Sequence, residues 1–344
     1  VPRYVLLLLP SANRVYAGAA ARLAAAELEV LGASALGGRL GEVAETEIGG
    51  VPYVAFAADG LDERDAALLS TLSAIYALFQ VEGPLLRPVS LRPPDRFDDD
   101  LVTIQRYPGK TNEQFTRLLL NLTLLASSHA GETPGGRLSV LDPLCGRGTT
   151  LNQALRYGFD AGGIELDARD FDAYALFIRT WLRQKRLKHR LEAGPVRRDH
   201  RVIARRLHLE LGESRDRWKA GESLTLTMVN ADTCRGLELF PPASFDLVVT
   251  DLPYGVQHGS RTAERALSRR PLDLLAAALP VWTALLRPGG AVGLAWNTRV
   301  ARREQVAALL AQQGLLVLDS DAHRRFEHRV DQAIVRDLLV ARKA

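Results

Sequence analysis

Apolar positions change period several times along the chain, and each change marks an element. Residues 3–10 form an apolar run closed by Pro10, the pattern of a buried strand. Residues 13–31 are alanine-rich, with apolar positions at helical spacing, and predict an amphipathic helix. Residues 43–48 and 51–57 read as two strands, and Gly49-Gly50 between them is a hairpin signal. Residues 61–80 predict a second helix and 84–91 a closing strand. The order β-α-β-β-α-β is that of a small ferredoxin-like α+β unit, placed at residues 1–91. Residues 92–100 bear two prolines and a run of acids, which predicts a linker over 92–106.

From residue 137 onward short apolar runs alternate with helical patterns. Strands are predicted at 138–141, 161–165, 224–229, 245–250 and 291–296, with helices starting near Thr149, Ala168 and Pro271. Such alternation predicts an α/β domain with a doubly wound parallel sheet, placed at residues 107–344. A hairpin-like pair, 315–319 and 333–341, ends it.

Composition narrows the class. The 344 residues suit roughly two domains at about 150 residues each. At 47% hydrophobic and 24% charged, the chain is neither disordered nor membrane-embedded in character. No apolar run approaches the ~20 residues of a membrane helix. Two cysteines exclude a disulfide scaffold and a four-cysteine zinc site and point to a cytoplasmic setting. Without a histidine cluster, no metal is expected. The net charge of +4 is carried mainly by arginine, which reads more simply as a compositional habit than as phosphate recognition.

Four acid-bearing segments stand out. In Val140-Leu141-Asp142-Pro143-Leu144-Cys145-Gly146-Arg147-Gly148-Thr149-Thr150, a strand enters a loop with two glycines and leaves as a helix. Gly146 and Gly148 let a ligand approach the backbone, and the helix start offers free N–H groups. An isolated glycine pair is as often a tight turn, and no lysine follows Gly148 to make a triphosphate site. Cys145 beside this loop reads as a small packing residue. Glu165 ends the next strand 23 residues beyond Asp142, where an acid can hold ribose hydroxyls; Asp167 could instead cap the following helix. Asp232 follows the strand at 224–229 and could accept from an adenine amine. The last segment delivers Asp251 into Leu252-Pro253-Tyr254-Gly255, where the acid could accept from an amine and the tyrosine could stack on a flat ring. Each acid alone is more often structural; four at the ends of α/β strands are not.

The segment Asp142-Pro143-Leu144-Cys145-Gly146-Arg147-Gly148 resembles the first motif of class I S-adenosylmethionine-dependent methyltransferases. Asp251-Leu252-Pro253-Tyr254-Gly255 resembles the fourth motif of those that methylate exocyclic amines. The likeness is greatest to the tRNA guanosine N2-methyltransferases of the THUMP-associated guanine-10 type and covers about residues 105–341. Residues 107–115 lie where that family has its substrate-side helix. The resemblance implies a Rossmann-like fold, S-adenosylmethionine as cofactor, and tRNA modification as the activity. It makes Asp142, Cys145, Gly146, Gly148, Glu165 and Asp232 the cofactor-binding set and Asp251, Leu252, Pro253 and Tyr254 the catalytic set. Where the family has a first proline, this chain has Leu252, whose carbonyl can still accept a hydrogen bond. The stretch before the linker has room for one ferredoxin-like unit but not for a THUMP domain as well.

Substrate contacts are expected from Lys110 and Phe115. Thr111 reads as a helix N-cap in a capping box with Gln114. Residues 179–206 carry eleven Lys or Arg against Glu192 and Asp199, a block that on helices is either a solvated face or a phosphate track; Arg197, Arg198 and Arg201 are its substrate-side candidates. Arg261, Arg265, Arg269 and Arg270 could add a second basic edge. Three readings remain open: an RNA (tRNA) guanosine N2-methyltransferase, an amino methyltransferase for DNA or a small molecule, and a non-catalytic RNA-binding subunit.

Overall fold

The computed structural model describes residues 1–11, 13–132, 136–254 and 271–344. Gly255 and Arg261, Arg265, Arg269 and Arg270 lie outside the described residues. The strands build two sheets. The first contains β1 (Arg3–Leu8), β2 (Leu40–Ile48), β3 (Val51–Ala58), β4 (Ile75–Glu82) and β5 (Leu85–Val89), all antiparallel, in the order β2-β3-β1-β4-β5. Helices Ala20–Ala35 and Glu63–Leu69 supply the two α elements of the ferredoxin-like order.

Residues 61–80 are not the single helix that their apolar spacing predicts. Asp62 and Asp65 form a capping box that starts helix Glu63–Leu69. The hydroxyls of Ser70 and Thr71 then bond back to the carbonyls of Ala66 and Leu68 and close its last turn. The chain re-enters the sheet as β4, so the strand expected at 84–91 is an added fifth strand, β5, hairpinned onto β4.

The second sheet contains β6 (Ser139–Asp142), β7 (Asp160–Glu165), β8 (His189–Arg198), β9 (Arg201–Leu211), β10 (Leu224–Asn230), β11 (Phe245–Asp251), β12 (Leu286–Asn297), β13 (Leu315–Leu318), β14 (His328–Arg329) and β15 (Val335–Lys343). Its order is β13-β15-β12-β11-β6-β7-β10-β9-β8, with β14 on β15. The centre, from β10 through β7, β6 and β11 to β12, is parallel; β15 runs antiparallel between β12 and β13. Helices cover both faces, and the period of two sorts the core between them. Leu247 and Val249 of β11 join one apolar cluster, and Val248 joins the other with Trp282 and Trp296. This is a Rossmann-like doubly wound sheet. Winding reverses at β6, which has β7 on one side and β11 on the other, and in such folds ligands bind beyond the carboxyl ends of the strands at that point.

The two sheets share one apolar cluster, running from Leu6 and Phe56 through helix Ala20–Ala35 and helix Glu113–Ala126 to Leu338 on β15. A buried polar knot crosses the same seam. Glu27 accepts from Ser73 N and Oγ (3.0 and 2.6 Å) and from Asn121 Nδ2 (2.7 Å), and Tyr157 Oη donates to Asn121 Oδ1 at 2.8 Å. The acidic stretch after the first sheet is likewise tied down. Lys185 pairs with Asp98 and Asp100 at 2.6 Å each, Arg156 pairs with Asp95 and Asp99, and Phe97 packs edge-on against Trp181. Pairing with these bases is why a proline-bearing acidic run is docked here rather than free.

The basic block is mostly strand. Arg179, Arg183 and Lys185 end helix Ala168–Lys185, but Arg190, Arg197, Arg198, Arg201, Arg205 and Arg206 lie on the β8–β9 hairpin. Among the described residues no helix is long and apolar enough to cross a membrane.

Candidate active site

Strands β6 and β11 are neighbours, Leu247 opposite Val140 and Val248 opposite Leu141, so their terminal acids emerge at the same sheet edge, Asp251 two residues beyond the level of Asp142. One cleft at this edge is lined by Asp142, Cys145 and Gly146 from the first loop and by Asp251, Leu252, Pro253 and Tyr254 from the last. Its third wall is Tyr107, Pro108, Gly109, Thr111 and Phe115, which precede the Rossmann-like sheet and fold back over the glycine loop. Gln105 Nε2 donates to the Arg147 carbonyl at 3.2 Å, and the Arg147 guanidinium lies 4.7 Å over the Tyr107 ring.

The glycine loop is shaped by close packing. Gly148 has φ +79, and a β-carbon there would sit 2.3 Å from the Tyr174 ring. It starts helix Thr149–Arg156 with no side-chain cap. Gly146, at φ +50, faces open space: nothing lies within 4 Å of the position a β-carbon would take. Cys145 is buried, and burial pushes its thiol up, which keeps it protonated and inert as a nucleophile.

Asp142 accepts from Leu144 N at 3.1 Å and from Thr250 Oγ1 at 2.9 Å. Burial, with a contribution from nearby Asp251, pushes its pKa up to about 6. Glu165, at the end of β7, accepts from Gly146 N at 2.8 Å and from Asp167 N at 2.7 Å, which couples it to the glycine loop. Burial chiefly, then Asp170, raises its pKa to about 7. Asp167 caps helix Ala168–Lys185 through Arg169 N, as its position predicts. Asp232 lies apart from the cleft, exposed at the end of β10, where it accepts from Cys234 N at 2.8 Å.

The surroundings of Asp251 are the most specific part of the site. Its Oδ2 accepts from Thr111 Oγ1 at 2.9 Å and from the Tyr254 hydroxyl, and Arg336 Nη2 stands 3.4 Å away. Arg336 Nε also donates to Tyr254 Oη at 2.6 Å. Asp251 Oδ1 is buried and has no hydrogen-bond partner among the described residues. One carboxylate oxygen is thus saturated and the other is left without a partner among the described residues.

Two of these partners were not visible in the sequence reading. Thr111 is not the N-cap: that role belongs to Asn112, whose Oδ1 accepts from Phe115 N at 3.1 Å, while Gln114 bonds the Leu9 carbonyl. The capping box fails because the helix starts one residue later, which frees the Thr111 hydroxyl for Asp251. Arg336 lies near the start of β15, 82 residues beyond Tyr254 and next to the buried Asp337. It is 3% exposed, with its guanidinium 4.2 Å over Phe115 and 5.1 Å over Tyr254. Phe115 therefore floors the cleft beneath Arg336. Lys110 is engaged internally, with Glu113 and with the Val102 carbonyl at 2.6 Å, and does not line the cleft.

No family model and no curated protein matches this sequence. Solved structures to which it is similar include TrmN from Thermus thermophilus, at 14% identity over 100% of each chain with a TM-score of 0.43. A TehB-like SAM-dependent methyltransferase from Corynebacterium glutamicum is 15% identical over 61% of this chain and 83% of that one, with a TM-score of 0.34. Precorrin-6y C5,15-methyltransferase from Geobacter metallireducens is 14% identical over 73% of this chain and 99% of that one, with a TM-score of 0.38.

Proposed function

We propose that this protein is an S-adenosylmethionine-dependent N-methyltransferase acting on an exocyclic amine, guanosine N2 of an RNA such as tRNA being the acceptor. The observation that carries the reading is the split carboxylate of Asp251. Oδ2 is fixed by Thr111, Tyr254 and Arg336, and Oδ1 is buried with no partner among the described residues, on a residue that lines the cleft. A buried, unpartnered carboxylate oxygen is costly unless a donor arrives with the ligand.

The residues at the cleft fit the cofactor. Gly146 leaves its β-carbon space open and Asp142 can meet an ammonium; Glu165 is outside the cleft lining but stands one strand away from Asp142, bonded to Gly146 N, where ribose hydroxyls would be held. Asp232, outside the cleft lining at the end of β10, is the acid left for the adenine amine. S-adenosylmethionine, when bound, supplies an electrophilic methyl group.

The chain's own residues act on the nucleophile. An aromatic amine attacks poorly because its lone pair is delocalised into the ring. Hydrogen bonds from the amine to Asp251 Oδ1 and to the Leu252 carbonyl favour a pyramidal nitrogen with a localised pair. They also offset the positive charge that develops there. Tyr254 lines the cleft and offers a ring on which a flat heterocycle stacks. Helix Glu113–Ala126 and the 107–111 strap complete the enclosure, and the remaining work is alignment of the two reactants.

The test is incubation with labelled S-adenosylmethionine and, separately, total RNA, DNA and a metabolite extract. Label in RNA, at guanosine N2, is expected. Label only in DNA or in small molecules moves the acceptor to those classes, and no label in any fraction rejects the enzyme.

A further inference from the structure

The β8–β9 hairpin adds two strands to the edge of the Rossmann-like sheet and runs past it. β9 pairs with β10 from Leu211 opposite Leu224 to Arg205 opposite Asn230, and Asn230 is itself level with Glu165 on β7. Residues 201–204 and their partners 196–198 extend beyond that level, roughly 13 Å at about 3.3 Å per residue. They project at the same edge where Asp142, Glu165 and Asp251 end their strands. The turn is made by Asp199 and His200, both left-handed at φ 48 and 61, the geometry of a tight two-residue hairpin. Near its base, Arg205 pairs with Asp172 and lies 4.9 Å over the Phe171 ring, fastening the hairpin to helix Ala168–Lys185.

We propose that this hairpin is an arm that holds the phosphate backbone of a structured RNA while one of its bases occupies the Asp251 cleft. The proposal rests on the methyltransferase reading above and says which surface carries the polymer. Residues 195–206 hold five arginines against the single acid Asp199. Arg197, Arg198 and Arg201 are exposed at the tip. The span selects the class of partner. β9 is four strands from β11, about 19 Å at ~4.8 Å per strand, before the projection of the tip is added. A small molecule in the cleft cannot also touch the tip, whereas a folded polyanion with regularly spaced phosphates can.

Arginines on a sheet can also serve to keep an open edge from pairing with another chain. That role predicts charge along the outer strand β8. There Arg190, Glu192 and Pro195 already guard the outer strand, and the five arginines of residues 195–206 sit instead at the tip and on the inner strand β9, which is not an edge.

The experiment measures binding of unfractionated transfer RNA, and of duplex DNA of similar length, over a salt series. It compares wild type with the triple variant Arg197→Gln, Arg198→Gln, Arg201→Gln, and S-adenosylmethionine affinity is measured calorimetrically on both proteins. Each phosphate contact contributes ~0.7–0.9 to the slope of log K against log salt, so the triple variant should lose about 2 units of slope on RNA. Its cofactor affinity should match wild type. Equal slopes in the two proteins would overturn the arm and leave the methyltransferase reading intact. DNA bound as tightly as RNA, with the same loss of slope, would overturn RNA as the partner. Absence of cofactor binding by wild type would instead reject the enzyme reading, whatever the RNA result.

Discussion

Thr111 and Asp251 are 140 residues apart in sequence and are joined by a 2.9 Å hydrogen bond from Thr111 Oγ1 to Asp251 Oδ2. The bond fixes which oxygen of the carboxylate is left for a substrate. It also ties the strap over the glycine loop to the end of β11. Thr111→Val keeps the shape and removes the donor. A hydrogen bond to a charged group is worth ~1.5–3 kcal/mol, so kcat should fall about tenfold or more while cofactor affinity is retained. Thr111→Ser should recover most of the loss. A valine variant with full turnover would mean that the orientation of Asp251 does not depend on the strap.

Arg336 is a buried charge whose partners are Asp251 and Tyr254. Breaking such a pair from one side strands the other charge, at about 3–5 kcal/mol. Arg336→Met should lower the unfolding free energy by that order in urea denaturation. Arg336→Met combined with Asp251→Asn removes both charges and should recover a large part of it. A double variant no more stable than the single one would show that Arg336 acts through its stacking on Phe115 and not through the carboxylate.

Glu165 gives cofactor binding a pH dependence. With its pKa raised to about 7, a substantial fraction is protonated in the free protein at neutral pH. Hydroxyl donors favour the charged form, so binding lowers the pKa and releases protons. Affinity for S-adenosylmethionine should therefore rise with pH and level off above about pH 7, by as much as tenfold per unit below it. Glu165→Gln should bind more weakly and remove that rise, leaving only a dependence below about pH 6, where Asp142 titrates. Calorimetry in buffers of different ionisation enthalpy reads the proton release directly. Identical pH profiles for the two proteins would take Glu165 out of the cofactor site.

The two loop glycines should separate stability from binding. Both have positive φ, costing roughly 1–2 kcal/mol for any other residue. At Gly148 a methyl group also meets the Tyr174 ring, so Gly148→Ala should cost roughly 3 kcal/mol or more in total. Gly146→Ala should lose only the roughly 1–2 kcal/mol of its backbone conformation but bind the cofactor poorly, because its new methyl has open space beside the cleft that a ligand would need. Equal loss of stability in the two variants would contradict this packing account.

Much of this arrangement is legible in the sequence where local pattern and tertiary role agree. The strands ending at Asp142, Glu165 and Asp251 are short buried apolar runs closed by an acid, and the structure places β6, β7 and β11 there. Residues 61–80 were unreadable because Ile75 to Gln80 continue the apolar density of the preceding helix, and only sheet pairing with β1 decides for strand. The β8–β9 hairpin was hidden by its charge, although Leu207, Leu209 and Leu211 alternate inward on β9. Thr111 and Arg336 lie beyond local reading altogether. Their roles depend on a strap and a strand brought to Asp251 from opposite ends of the domain, and nothing in their immediate neighbours announces it.

The most direct test of the account is Asp251→Ala, assayed for methyl transfer to RNA and for S-adenosylmethionine affinity in the same preparation. Losing one acceptor aimed at the developing charge costs on the order of 100-fold or more in rate. The account predicts a loss of that size with cofactor affinity within about twofold of wild type, because it gives the unpartnered oxygen of Asp251 to the acceptor amine and not to the cofactor. Full turnover in the variant would contradict amine activation by Asp251, and a matching loss of cofactor affinity would move Asp251 from the acceptor side of the cleft to the cofactor side.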